Sequence, residues 1–207
     1  MALDYEKQFY EKGIEFIAGT DEAGRGCLLG PVFAAAVILP KDFEDPLIND
    51  SKQLTAKQRD KAFDIIVNNA IAYSISSVSV EEIDKINILC ASRLAMKKAI
   101  DTLNHKFDLI LTDCMKIPGY DVPVIDVVHG DALSKNIAAA SILAKVSRDR
   151  CCEELDKLYP EYGIKKHKGY GTKAHLEALE KYGPKVGLHR LTYAPVRKFF
   201  IEKVKLF

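Results

Sequence analysis

The chain has 207 residues, 48% of them hydrophobic, which is enough to bury one full core and leaves room for a small appendage. Its apolar runs, at most eight residues long, fall far short of the roughly 20 needed to cross a bilayer, and its formal net charge of +1 does not by itself point to nucleic acid. Five cysteines, an odd number without a Cys-x-x-Cys pair, argue against a disulfide framework or a zinc site and fit a reducing cytoplasm.

The opening residues are neither basic nor continuously apolar, so no secretory signal is expected and the protein reads as soluble, without a membrane partner. Residues 16–20 and 32–39 read as strands flanking a glycine-rich turn, and 71–78 alternates like a third. A polar loop, 40–52, leads to a helix over 55–70, with Ala62, Phe63, Ile66 and Val67 at helical spacing and Thr55 as N-cap. Residues 81–103 predict one longer amphipathic helix, and 108–111 and 124–128 two short buried strands. A long helix over 134–158 follows; its first half, 137–144, is rich in small residues that allow close packing on a sheet. Residues 165–172 form a basic, glycine-containing loop, then 173–182 and 195–203 predict helices. The pattern is that of an α/β domain with a mixed sheet and helices gathered at the carboxyl end.

Four acids stand where strand-like runs end: Asp21 and Glu22 in Gly19-Thr20-Asp21-Glu22-Ala23-Gly24-Arg25-Gly26, Asp113 after Leu111-Thr112, and Asp131 after His129-Gly130. Converging buried carboxylates repel one another and are costly unless a cation neutralises them. Oxygen-only ligands suit Mg2+ or Mn2+, and a pair of such ions is a standard apparatus for phosphodiester hydrolysis. Adjacent residues on a flat strand face opposite sides, so Asp21 and Glu22 need the bend that Ala23-Gly24 allows. Charge is also divided along the chain. Residues 1–144 carry 15 Lys and Arg against 21 Asp and Glu, a net of −6, whereas 145–207 carry 15 against 8, a net of +7. An acidic, metal-binding part followed by a basic part suits a nuclease.

These segments resemble the type 2 ribonucleases H, most closely bacterial ribonuclease HII. The resemblance runs from about Phe16 to Phe199 through blocks in the family's order, including Asp21-Glu22-Ala23-Gly24-Arg25-Gly26, Asn49-Asp50-Ser51-Lys52, Thr112-Asp113, Gly130-Asp131 and His167-Lys168-Gly169-Tyr170-Gly171-Thr172. It implies a ribonuclease H-like mixed sheet flanked by helices over residues 1–158 and a basic helical C-terminal subdomain over 159–207. It also implies that Asp21, Glu22, Asp113 and Asp131 bind two divalent ions, Mn2+ or Mg2+, and hydrolyse the RNA strand of RNA-DNA hybrids. Cleavage 5′ of single ribonucleotides embedded in duplex DNA is implied too, leaving 5′-phosphate and 3′-hydroxyl ends.

In the family the Gly24-Arg25-Gly26 triplet lies against the ribose at the junction, and Tyr170 packs on the following deoxyribose. Lys52, Lys145, Arg148, Lys168 and Arg190 are candidate phosphate contacts. Two positions depart from the family's usual pattern: Cys27 stands where proline is common, and Cys114 where glycine is common. A related metal nuclease with another substrate, such as a resolvase, and a non-catalytic hybrid-binding module are the competing readings. The final Leu206-Phe207 resembles the end of peptides that dock on a sliding clamp, although Lys203 stands where glutamine is usual; packing of the last helix is the alternative.

Overall fold

The structure, a computed structural model, describes residues 3–48 and 54–204, with side chains as far as Phe199. The Asn49-Asp50-Ser51-Lys52 block and the last three residues of the proposed docking tail lie outside the described residues. Five strands form one sheet in the order β3-β2-β1-β4-β5: β1 (Ile17–Ala23), β2 (Val32–Ile38), β3 (Ala72–Val78), β4 (Leu109–Asp113) and β5 (Val124–Val127). The first three are antiparallel neighbours, and β4 and β5 run parallel to β1. The helices are α1 (Lys7–Tyr10), α2 (Ala56–Asn69), α3 (Val80–Ile86), α4 (Ile88–Asp101), α5 (Lys135–Leu158), α6 (Ile164–His167), α7 (Lys173–Tyr182) and α8 (Ala194–Val204). Among the described residues no helix is long and apolar enough to cross a membrane, and all five cysteines are free thiols.

Alternation along β2 divides the core. Ala34, Ala36 and Ile38 meet Ala91, Ala95, Met96 and Ala99 of α4, while Ala35 and Val37 meet the small face of α5 from Ala138 to Ala144. The approach is closest at Gly19: a Cβ there would lie 2.3 Å from the carbonyl carbon of Asn136, well inside van der Waals contact. The start of α5 is fixed by groups remote in sequence. The Ser134 hydroxyl caps Ile137 N–H, and Glu6 Oε1 accepts from the Ser134 hydroxyl and from the backbone and side-chain N–H of Asn136. Asn136 Oδ1 in turn accepts from Leu39 N–H at 2.8 Å. The sequence pattern did not expose α1, a single turn that carries no heptad of its own.

Thr55 caps α2 as expected, in a reciprocal box with Gln58. The single helix expected over 81–103 is instead two. Asn87 breaks it at φ 66° and ψ 164°, a strained backbone conformation far from helical, and its side chain caps α4 through Cys90 N–H at 3.1 Å. Hydrophobic spacing runs on through the break and so conceals it. Strand β1 also runs three residues further than expected, which places Asp21 and Glu22 inside it.

Beyond α5 the regular elements among the described residues are short helices joined by turns, apart from a bridge between Leu29 and His189. Three buried histidines knit this part together. His175 Nδ1 lies 2.9 Å from the Tyr170 carbonyl and must donate to it, which leaves Nε2 bare; His189 Nδ1 accepts from Lys185 N–H, so its Nε2 carries the proton facing His175 at 3.4 Å. His167 stacks on His175 at 4.2 Å, accepts from Gly169 N–H through Nδ1 and donates from Nε2 to the Tyr162 carbonyl. Every ring nitrogen is thus committed with each imidazole neutral. Burial pushes His175 down to about 4 and His189 down to about 3.

An unfolded histidine titrates near 6.5, so the unfolded chain takes up protons first as the pH falls. The stability these two groups contribute is complete above about 6.5 and drains away toward their folded values, at roughly 2 kcal/mol each by pH 5. Urea unfolding at pH 7.5 and 5 is expected to show that loss, with a His189→Gln variant having a pH dependence shallower by about 2 kcal/mol. Parallel slopes for the two proteins would contradict the buried neutral assignment.

Candidate active site

The register of the sheet gathers the acids. Thr20 pairs with Thr112 across β1 and β4, so Asp21 stands level with Asp113, the last residue of β4, and both side chains leave toward α5. There the Ser141 hydroxyl faces Asp21 and lowers its pKa, and Glu22 N–H donates to Asp21 Oδ1 at 2.7 Å. Ser141 is a residue that sequence reasoning missed. Its signal was present: it is the one hydroxyl within the small apolar run 137–144, on a face that must pack against the sheet.

Glu22 would face away from Asp21 on a flat strand, yet it lines a cleft of about 330 Å³ with Gly24, Arg59, Ser141, Lys145 and Tyr170. Its Oε1 pairs with Arg25 at 3.2 Å, while its buried Oε2 has no hydrogen-bond partner. Asp131 follows in a one-turn 3₁₀ helix, Gly130–Ala132, and is 4% exposed. The turn is tied to the cluster because Gly130 N–H donates to Asp113 Oδ1 at 2.8 Å.

Burial, then the charges of Glu22 and Asp113, holds the Asp21 carboxyl well above its usual range, against the lowering effect of the Ser141 hydroxyl. Glu22 is likewise raised by burial and by Asp113, with Arg25 opposing. These acids sense one another, but among the described residues no three acidic, histidine or cysteine side chains already close into a metal cage. The donor set still fits a hard divalent cation: it is all oxygen, it is mutually repelling, and it includes a buried carboxylate oxygen with nothing bound to it.

Around the acids, Gly24 and Gly26 lack side chains for different reasons. Gly24 has φ +102° and its missing Cβ would sit 2.1 Å from Arg148 Nε, so the fold itself demands glycine. Gly26 has open space at that point and no unusual φ, so packing imposes no such demand. Cys114 has φ 49°, which explains in steric terms why glycine suits the position after Asp113.

Tyr170 is 47% exposed, with Lys145 Nζ 5.9 Å from its ring centre and its hydroxyl near the buried Cys27 thiol. Burial pushes that thiol up, which keeps it protonated and unreactive. Arg59, on α2, reaches the same cleft and was not anticipated; an isolated helical arginine carries no distinguishing pattern.

The expected phosphate contacts divide into two groups. Lys145 is partly exposed and paired with Asp149 at 2.7 Å, and Lys168 is paired with Glu153 at 2.8 Å. Arg148 and Arg190 are a correction: they are 1% and 0% exposed, enclosed by the fold, and donate to backbone carbonyls. Arg148 holds Lys168 O and Leu29 O; Arg190 holds Gly30 O and Arg25 O and contacts the Tyr193 hydroxyl. Neither presents its guanidinium to a phosphate. Lys52 lies outside the described residues.

Comparison with known proteins places this arrangement. The sequence pattern of the ribonuclease HII family matches residues 18–196. The ribonuclease HII of Acholeplasma laidlawii is 54% identical over 196 residues, covering 95% of this chain and 96% of that protein. Among solved structures, the ribonuclease H2 of Pyrococcus horikoshii OT3 superposes with a TM-score of 0.79 at 29% identity, covering 92% of this chain and 99% of that one. The ribonuclease HII in a complex with PCNA from Archaeoglobus fulgidus superposes at 0.69 with 25% identity, covering 84% and 92%. The chain belongs to the ribonuclease HII family, hydrolases of the ribonuclease H type.

Proposed function

We propose that this protein cuts the RNA strand of RNA-DNA hybrids, and duplex DNA on the 5′ side of a single embedded ribonucleotide, in the cytoplasm. The observation that carries the reading is the meeting of Asp21, Glu22 and Asp113 beside a cleft that also contains Gly24 and Tyr170. Residues 1–158 carry the chemistry, and the helical unit 159–207 contributes to substrate recognition.

Asp21, Glu22, Asp113 and Asp131 are the residues that would hold divalent ions, two when substrate is bound. Bound Mn2+ or Mg2+ would supply Lewis-acid chemistry there, lowering the pKa of the attacking water and offsetting charge on the departing 3′-oxygen. The protein's own share is placement. Ser141 orients Asp21, Gly130 N–H orients Asp113, and the unpartnered Glu22 Oε2 is available for coordination. The open space at Gly26 lets main-chain groups approach a ribose and its 2′-hydroxyl. The exposed ring of Tyr170 packs against the next sugar, a surface that favours deoxyribose. Arg25, Lys145 and Lys168 meet phosphates by exchanging their carboxylate partners, with Lys52 a further candidate.

Incubation of a duplex bearing one ribonucleotide with the protein and Mn2+ or Mg2+ tests the reading directly. Asp113→Asn is expected to lower cleavage by roughly a thousandfold or more while hybrid binding is kept or tightened. Mn2+ is expected to raise the thermal midpoint of the unmodified protein and not that of the variant. Turnover like that of the unmodified protein in Asp113→Asn, or full activity in excess EDTA, would sink the assignment.

Tyr170→Ala is expected to lose about tenfold in cleavage of the single-ribonucleotide duplex, and Tyr170→Phe less than about threefold, because the ring packs and the hydroxyl does not. Equal rates for the two variants would remove Tyr170 from substrate recognition.

A sliding-clamp contact through the tail is the remaining part of the proposal, prompted by Leu206-Phe207 and by the PCNA complex of the Archaeoglobus relative. Deleting residues 204–207 is expected to abolish binding to a sliding clamp and to spare both the thermal midpoint and junction cleavage. Unchanged clamp binding, or a lowered midpoint, favours a packing role for the tail instead.

A further inference from the structure

Arg148 is the point at which the two proposed recognition elements touch one side chain. It projects from α5 seven residues after Ser141, about two turns and 10 Å along the same helix. Ser141 reaches Asp21; Arg148 reaches the elements beside it. Its Nη1 donates to Lys168 O at 2.8 Å and its Nη2 to Leu29 O at 3.3 Å, so one guanidinium spans two segments 139 residues apart. Gly24 lies directly on it, with a hypothetical Cβ 2.1 Å from Nε and 2.5 Å from Cδ. Gly169, next to Tyr170, is almost as close, its own Cβ position being 3.1 Å from Nη2. The side chain is 1% exposed, and both of its hydrogen-bond partners are backbone carbonyls.

Burying a guanidinium without a carboxylate partner is costly, and backbone carbonyls offset only part of that cost. If the site needed only bulk, an apolar side chain of similar length would fill it more cheaply. A fork that bonds two separate carbonyls does what neither lysine nor methionine does: it fixes a distance between them. Those carbonyls belong to the segment that follows Gly24-Arg25-Gly26 and to the segment that carries Tyr170.

We propose that Arg148 is a positioning residue for substrate selectivity. Its guanidinium fixes the separation between the 24–26 triplet and the Tyr170 ring, and with it the preference for a ribonucleotide followed by a deoxyribonucleotide. The inference rests on the reading of those two elements given above. It assigns Arg148 no contact with substrate or with the metal-binding acids.

The test compares kcat/KM on a duplex with one embedded ribonucleotide and on a uniform RNA-DNA hybrid, for the unmodified protein, Arg148→Lys and Arg148→Met. The hybrid offers a ribose at every position, so it depends less on the spacing between the two elements. Selectivity for the single-ribonucleotide duplex over the hybrid is expected to fall about tenfold in Arg148→Lys, which keeps the charge and loses the fork, and at least as far in Arg148→Met. Half-saturation by Mn2+ is expected to stay within about twofold, because Ser141 and the acids are untouched. Thermal unfolding followed by circular dichroism identifies a variant that does not fold; should Arg148→Met fail, Arg148→Lys decides. A selectivity ratio unchanged in Arg148→Lys, or equal losses on both substrates, would overturn the positioning role and leave the proposed function standing. Failure of the unmodified protein to cut the single-ribonucleotide duplex would overturn that function and this inference together.

Discussion

Everything at the site depends on how close α5 comes to β1, and that distance is set by the missing side chain of Gly19. With no Cβ at that position, the backbone at Asn136 rests on the strand, and the small residues from Ala138 to Ala144 lie along the sheet beyond it. A methyl group at position 19 would need more than 1 Å of extra separation to reach ordinary contact. The helix that carries Ser141 and Arg148 would then lift at its N-terminal end. Glu6, Ser134 and Asn136 fix the same end from the other side, through a buried carboxylate that accepts three hydrogen bonds. A one-turn segment near the start of the chain is therefore part of the apparatus that aims the acids.

The electrostatic design follows from the same packing. Carboxylates drawn to the end of the sheet repel one another and carry raised pKa values, a strain that a cation relieves. Positive charge is supplied at two depths. Arg148 and Arg190 lie inside, committed to carbonyls, where they shape the loops. Arg25, Lys145 and Lys168 lie nearer the surface, in pairs with Glu22, Asp149 and Glu153. Of these, the Lys168–Glu153 pair is open on the Glu153 side and contributes about 1 kcal/mol or less, so a polyanion competes with it at little cost, whereas Glu22 in the Arg25 pair is almost enclosed. The split of −6 and +7 along the sequence therefore overstates the charge open to a ligand, because two of the C-terminal arginines are structural.

Much of this was legible in the residues. Apolar runs and, over 71–78, period-two alternation marked the strands, Thr55 marked a helix start, and acids at the ends of apolar runs marked the candidate site because such residues rarely end a buried strand without a reason. What escaped detection depends on contacts between distant segments. Asn87 interrupts a helix without interrupting its hydrophobic spacing. Arg148 and Arg190 look like any basic residues in a basic segment, and only their enclosure shows that they bind carbonyls rather than phosphate. Ser141 is informative only once the helix face that carries it is known to meet Asp21.

The five residues from His189 to Tyr193 show why the C-terminal unit is built into the site rather than appended to it. His189 fixes the tautomer of His175, which holds the Tyr170 carbonyl. Arg190 holds the carbonyls of Arg25 and Gly30, and the Tyr193 hydroxyl donates to Arg25 O as well. Between them, Leu191 and Thr192 donate three hydrogen bonds to Asp84 on α3, the short helix that the break at Asn87 sets apart from α4. The irregularity at Asn87 thus has a structural use: it frees α3 from the direction of α4 and lets Asp84 anchor the strap. Successive residues of one turn-forming segment then reach Tyr170, the glycine triplet and the sheet-covering helices. Loosening the strap at any of these ties would be felt at both the glycine triplet and Tyr170, the proposed recognition elements, because neighbouring residues of a single backbone hold them.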